Sequence, residues 1–529
     1  MKRGRELLRL ADTVVLPGFE GRTPPDWLRR RLSDGLTGVV LFSRNIASPS
    51  QVADLTAALR AENPQVLVGI DEEAGEVTRL EAATGSSRPG NFALGVVDDP
   101  GLTEEIARDL GRDLALAGIN LDFAPSADVN SNPRNPVIGL RSFGAGPALV
   151  ARHTAAWIRG LQSAGVAACA KHFPGHGDTS VDSHHGLPLI GADADELREV
   201  VLPPFRAAVA EGVRAVMTGH LLVPALDPVM PATLSGPLLR DLLRDELGFE
   251  GVIVTDGIEM EAVSGPHGIG GASALAIAAG ADAICVGGEH ADERTAVEVR
   301  DAIADAVIEG RLPEERLADA AERVCELALW AGSAGPARRS AASASPGGPA
   351  AGRTVVPVGS PAPEASVRPG GVPVGLAAAR RALRVTRRSS AAVIPLPAPP
   401  HVLELAPEMN LAIDPHTPWG VGEPLGKLLP GTTVTRLTAP EATGGATEAA
   451  LATAAGRPLV AVVRDAHRHA WQTAVLEHLL AARPDAVVVE MGLPDRCDLG
   501  AVHLATYGAA RVCGQAAAEL LAGCAGSDG

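Results

Sequence analysis

The sequence predicts an α/β protein in two parts: a large N-terminal (β/α)8 barrel of the TIM type and a smaller C-terminal α/β domain. Three observations predict it. First, eight short β-rich runs end near Leu16, Phe42, Ile70, Ala124, Ala170, Thr218, Thr255 and Val286, and most gaps between them hold amphipathic helical segments such as 102–117, 147–163, 195–211 and 270–280. Second, from Ala331 to about Gly375 the chain dissolves into Ala, Gly, Ser, Pro and Arg with no periodic apolar face, a composition that cannot bury a core. Third, helical segments at 376–388, 444–455, 467–482 and 510–522 then alternate with strands at 402–406, 458–464 and 485–491. The expected division is a barrel over 1–330, a linker over 331–375 and a second domain over 376–529. An open doubly wound sheet would also alternate strand with helix. The Gly-x-Gly-x-x-Gly fingerprint that such a sheet often carries after its first strand is missing.

Composition narrows the class of partner. The 529 residues are 46% hydrophobic and 21% charged, enough for a large core and too long for one ordinary domain. A net charge of −17 disfavours nucleic acid and anionic membrane, because both demand a basic face. Lys2, Arg3, Arg5 and Arg9 open the chain, but the apolar run behind them is short and broken by Asp12 and Pro17, so neither a secretory signal nor a membrane span is expected. Cys169, Cys285, Cys325, Cys497, Cys513 and Cys524 never form a Cys-x-x-Cys pair, which fits reduced thiols and a cytoplasmic location, with Cys169 and Cys285 packed as small hydrophobes in strands. Oligomeric state is left open.

Chemistry concentrates in one stretch. Residues 171–188 pack four histidines, two aspartates and a lysine into a segment without periodicity, and Pro174, Gly175 and Gly177 forbid a helix across it. Asp178, Asp182 and His184 are therefore expected on a loop behind the buried run Val166–Ala170, where active sites gather. Asp182 and His184 stand at i and i+2, so the carboxylate can hold one ring nitrogen and leave the other as an acid/base near neutral pH. Asp256 ends the run Gly-Val-Ile-Val-Thr, either reacting or capping the next helix. Asp71, Lys171, His172 and His220 also fall at strand ends. Asp71 with Arg79, Arg141 and Lys171 offers the directional donors and acceptors that grip a polyhydroxylated ring. A metal site is disfavoured, since no helical His-Glu-x-x-His and no nearby cysteine supports the histidines; no cofactor is expected. In the second domain, His467, His469 and Trp471 read as surface or capping residues at a helix start.

Taken together these pieces resemble the β-N-acetylhexosaminidases of glycoside hydrolase family 3. The loop follows that family's Lys-His-[Phe/Ile]-Pro-Gly-[His/Arg]-Gly…Asp-Ser-His…Leu-Pro pattern. Asp71-Glu72-Glu73-Ala74-Gly75…Arg79-Leu80, Asn120-Leu121-Asp122-Phe123-Ala124-Pro125 leading to Arg141-Ser142-Phe143-Gly144, and Val254-Thr255-Asp256 agree in order. The resemblance covers about residues 10–330. It implies that Asp256 is the nucleophile, that His184 is the acid/base with Asp182 as its partner, and that Asp71, Arg79, Arg141, Lys171 and His172 bind the sugar. It further implies a retaining exo-β-N-acetylglucosaminidase acting on a small-molecule carbohydrate, and a C-terminal part like the family's α/β sandwich domain. Glu72 stands where the family usually has Gln, and Ala74 where it usually has Gly. A phosphorylase of the same family, a carbohydrate-binding protein without turnover and a metallohydrolase are the rival readings. The aglycone stays open between a cell-wall muropeptide fragment, a chitin oligomer and another N-acetylglucosaminide.

Overall fold

The structure, a computed structural model, describes residues 4–179, 186–334, 372–409, 412–442 and 445–524. The first part is the expected barrel. Its strands are β1 (Val15–Pro17), β2 (Gly38–Leu41), β3 (Leu67–Ile70), β4 (Leu121–Asp122), β5 (Ala167–Phe173), β6 (Ala215–Thr218), β7 (Val252–Thr255) and β8 (Ile284–Val286). They are parallel in chain order. β2 to β7 form one continuous ladder, β1 pairs with β8, and the Val254–Ala283 bridge joins β7 to β8. At the remaining seam, β1 meets β2 by side-chain packing: a Cβ on Gly38 would lie 2.5 Å from Leu16 Cδ2, so only glycine lets the two strands approach.

Side chains alternate along these strands with period two, as a closed sheet requires. Leu16, Val40, Leu67, Cys169, Met217 and Val254 fill the interior, whereas Val15, Val39, Val68, Ala168, Val216 and Ile253 face the surrounding helices. Cys169 and Cys285 sit in the interior as small apolar side chains. Val324, Leu327 and Ala328 of the helix Glu314–Ala334 join the same cluster, and Arg323 donates to the Glu250 carbonyl ahead of β7. That helix therefore plugs the N-terminal end of the barrel and leaves the C-terminal end as the mouth.

The second part is a six-stranded sheet in the order β11-β10-β12-β13-β14-β9, with β9 (Arg384–Arg387), β10 (His401–Leu405), β11 (Thr433–Leu437), β12 (Leu459–Val463), β13 (Val487–Glu490) and β14 (Val502–Ala505). All pairs are parallel except β9 against β14. The helix expected over 376–388 ends at Ala382, and 384–387 is instead the antiparallel edge strand. Its pairing partner lies more than a hundred residues away, so local pattern could not reveal it. The 195–211 segment is broken into three helical pieces, the last starting at Pro203, whose ring cannot continue the preceding turn. Of the 331–375 segment, 331–334 are the end of a helix and Val374 starts the next.

The two parts touch directly. Arg79 donates through both Nη atoms to the Ala412 carbonyl at 3.1 Å, and Arg511 donates to the Gly85 carbonyl at 3.1 Å. The Ala509 amide donates to the buried Glu76 carboxylate, while Val374 and Ala378 pack into the barrel's own core cluster. Among the described residues no helix is long and apolar enough to cross a membrane.

Candidate active site

Three strand ends supply the mouth. Asp71 follows β3 directly, Asp256 follows β7, and Lys171 and His172 are residues of β5 itself. The last placement corrects the expectation of a loop starting at 171: β5 runs on to Phe173, and the turn begins at Pro174. A cavity of about 290 Å³ opens there, lined among others by Asp71, Arg79, Arg141, Lys171, His172 and Asp256. All six are candidates from the sequence.

The hub of this cavity is a residue that sequence reasoning passed over. Glu73, 2% exposed, accepts from Arg141 Nε at 2.9 Å and Nη2 at 2.7 Å, and pairs with Lys171 Nζ at 2.8 Å. Lys171 Nζ also donates to Asp71 Oδ1 at 2.6 Å. Two cations and two carboxylates thus form one nearly dry network. Burial alone would push the Glu73 carboxyl up, but the Arg141 and Lys171 charges outweigh it and hold it well below the usual carboxylate range. Burial likewise opposes the charge on Lys171, and Asp71 and Glu73 reverse that, raising its pKa. Asp71 remains part-exposed and turned to the cavity. The acidic triplet 71–73 was the available signal for Glu73.

His172 is oriented from both sides. Its Nδ1 lies 2.8 Å from Asp128 Oδ2, and its Nε2 lies 3.3 Å from Arg141 Nη2. A guanidinium only donates, so Nε2 accepts and the proton sits on Nδ1, donated to Asp128. Asp128 also accepts from the His172 and His176 amides and from Ser126 Oγ. Burial raises its pKa, and the His172 side chain more than offsets this. Asp128 was also missed, although Ala-Pro-Ser-Ala-Asp follows β4 at the same end of the barrel. Burial drives His176 down to about 4, so its ring is neutral at physiological pH.

Asp256 Oδ1 accepts from the Gly257 amide at 2.8 Å, and its own amide donates to the Thr218 carbonyl. Its carboxyl borders the cavity and is only partly buried. Glu259, on the turn after it, receives the Gly287 and Gly288 amides of the β8 loop through Oε1. His220 does not line the cavity; buried, it lies 2.8 Å from Thr233 Oγ1 and 2.9 Å from the Gly257 carbonyl, which braces the backbone beside Asp256. Asp178 is exposed on the turn after β5. Asp182 and His184 lie outside the described residues. Among those described, no group of three His, Cys, Asp or Glu converges to hold a metal.

The turn before Asp182 is tightly seated. Asn135 Nδ2 donates to the His176 carbonyl at 2.8 Å, and a Cβ on Gly177 would fall 1.8 Å from the Val129 carbonyl oxygen. Glu72 buries its carboxyl below the mouth, accepting from the Arg79 and Leu80 amides. Burial lifts its pKa to about 7 against those bonds.

With this geometry in hand, the relatives are informative. The profile described as Glycosyl hydrolase family 3 N terminal domain matches residues 25–327, more than half of the chain and all but the first strand of the barrel. The chain belongs to glycosyl hydrolase family 3. A β-hexosaminidase of Stenotrophomonas maltophilia is 40% identical over 271 residues, covering 49% of this chain and 78% of the relative. The β-hexosaminidase A of Pseudoalteromonas piscicida is 34% identical over 314 residues, and the match spans about half of that protein, 52% of its length. A solved family 3 β-N-acetylglucosaminidase from Paenibacillus sp. str. FPU-7 follows both parts, covering 98% of this chain and 97% of its own with 34% identity and a TM-score of 0.82.

Proposed function

We propose that this family 3 member is a retaining exo-β-N-acetylglucosaminidase that removes terminal β-linked N-acetylglucosamine through a covalent glycosyl-aspartate. The observation that carries the reading is Asp256 at the end of β7, opening onto the same cavity as the Asp71–Lys171–Glu73–Arg141 network and His172. In this reading Asp71, Arg79, Arg141, Lys171 and His172 bind the sugar hydroxyls and acyl group, and Asp256 attacks the anomeric carbon as the glycosidic bond breaks. His184 protonates the departing oxygen, oriented by Asp182, and then takes a proton from the water that releases the sugar from Asp256. The roles of His184 and Asp182 rest on the sequence motif. The buried Glu73 salt bridges support a site built in advance: its cations are held by carboxylates before substrate arrives and need little reorganisation.

Hydrolysis is favoured over phosphorolysis by the same network. The arginine and lysine side chains that border the cavity already have partners, Arg141 and Lys171 in carboxylates and Arg79 in the Ala412 carbonyl, so no built phosphate cradle is evident among the described residues. The division at 1–330, 331–375 and 376–529 and a cytoplasmic location, consistent with six unpaired cysteines, complete the proposal.

The deciding assay compares a chromogenic β-N-acetylglucosaminide with the β-glucoside, with and without millimolar phosphate. Free N-acetylglucosamine should dominate; N-acetylglucosamine 1-phosphate as the main product would replace the hydrolase by a phosphorylase. Asp256→Ala should abolish turnover, and a 2-fluoro sugar should label the peptide containing Asp256, label on another carboxylate overturning its role. His184→Ala should slow poor leaving groups far more than activated aryl glycosides. Equal losses on both would make His184 a binding residue.

A further inference from the structure

The C-terminal sheet carries a second cavity that the reaction does not use. The chain leaves β10, crosses to β11 on one side, and returns to β12 on the other, so its connections part above the β10/β12 pair. In open parallel sheets that is the point where ligands enter, outside the carboxyl ends of the strands. A cavity of about 1010 Å³ opens there, bounded by Ala406, Thr438 and Arg464, which follow those three strands, and closed from the barrel by Gly75 and Glu76. Trp419 and Trp471 also face it, as does His469. His469 makes no side-chain cap bond to the helix Ala470–Ala482, and the His469 and Trp471 side chains are half-buried against this space.

Arg464 is the decisive residue. It is 4% exposed, yet its guanidinium makes no hydrogen bond and no ion pair within 4 Å among the described residues. Its neighbours are the Trp419 ring, 5.8 Å away, and the more distant carboxyl of Glu76. Its five N–H donors carry a full charge and open onto the cavity with no protein acceptor in front of them, which leaves them to solvent or to a ligand's anion. Arg436 shows the contrast. It lies over the same indole at 5.2 Å, but Glu404 Oε2 accepts from its Nε at 2.9 Å and its Nη2 at 2.5 Å, and the Trp419 carbonyl accepts from it at 2.7 Å. The carboxylates of Glu408 and Asp414 also border the cavity, which suits a ligand with one anionic group rather than several.

We propose that this cavity binds a small ring compound bearing a single anionic group, a sugar carboxylate or a sugar phosphate, with the anion on Arg464 and the ring against Trp419 or Trp471. A guanidinium fork matches either anion, and an indole face suits the apolar side of a sugar ring. Ile413, in the wall of this cavity, follows Ala412, whose carbonyl receives Arg79 at the barrel mouth. The site therefore stands beside the catalytic one without sharing its residues.

The test uses the full chain in calorimetric titration and tryptophan fluorescence. Glucuronic acid and glucose 6-phosphate are the ligands, glucose is the neutral control, and saturating N-acetylglucosamine keeps the barrel mouth filled. The expected result is one-to-one binding of at least one of the two anions, at least tenfold tighter than glucose, with a further tenfold or greater loss in Arg464→Gln. Whichever anion binds names the source of the charge. At least one of Trp419→Ala and Trp471→Ala should weaken the same binding, and that pair decides the matter if Arg464→Gln does not fold. No preference for either anion over glucose, binding unchanged in the variants, or binding abolished by N-acetylglucosamine would each overturn the proposal.

Discussion

At the scale of single residues, Glu73 holds the mouth together. Its carboxylate is the shared acceptor of two cations that are themselves almost fully buried, Arg141 and Lys171 being 8% and 1% exposed. Glu73→Gln would leave both with a neutral amide. Removing one partner of a buried ionic network costs about 3–5 kcal/mol, because the surviving charges stay desolvated. A lowered urea midpoint is expected, together with a higher KM as Lys171 and Arg141 drift from their positions. A midpoint equal to that of the unaltered protein would show that the network does not depend on Glu73. The conservative exchange is informative here because it keeps shape and removes only charge.

At the scale of elements, β5 and the turn after it matter most. β5 is the longest barrel strand and carries Lys171 and His172 into the mouth; the turn then passes Gly177, pressed against the Val129 carbonyl. Gly177→Ala has no room for its methyl, so the turn must move away from 129–130 and take His176 with it. The expected outcome is a loss of kcat/KM of tenfold or more with a melting temperature lowered by only a few degrees, because the displaced segment lies at the surface end of the barrel and not in its core. Activity assays and a thermal melt on the same preparation check it. A large fall in melting temperature with activity retained per folded molecule would mean that the turn is structural only.

At the scale of the whole molecule, buried carboxyls set how stability responds to pH. Glu72 rises from an ordinary value of 4.5 to about 7, and Glu490, in the C-terminal sheet, rises to about 8, burial being the first cause in both. Each carboxyl keeps its proton in the folded chain after the unfolded chain has lost its own. Stability is therefore fully present below about pH 4.5 and falls as pH rises through 7 to 8, then levels. The Glu72 contribution is about 3 kcal/mol across that window. Glu72→Gln, which also restores the residue usual in the family, should match the parent near pH 5 and exceed it in melting temperature at pH 8. Parallel melting curves across that range would show that Glu72 is ionised throughout.

Much of this was legible in the linear chain. The barrel, its strand ends and the cavity residues Asp71, Lys171, His172 and Asp256 follow from short β-rich runs, intervening amphipathic segments and polar residues placed just past those runs, all of which are local signals, whereas Arg79 and Arg141 came from their ring-gripping chemistry and the family motifs. The 171–188 stretch announced chemistry because its prolines, glycines and histidines fit neither repeating structure. What tertiary structure decided has another physical origin: contacts between residues far apart in sequence. Glu73 becomes a hub only when β3, β5 and the 139–141 turn bring Lys171 and Arg141 to it. Asp128 matters only because it meets His172, and β9 is a strand only because β14 lies alongside. Arg464, unremarkable in sequence, is set apart by what the folded chain withholds from it, a hydrogen-bonding partner inside a cavity that exists only after both sheets have assembled.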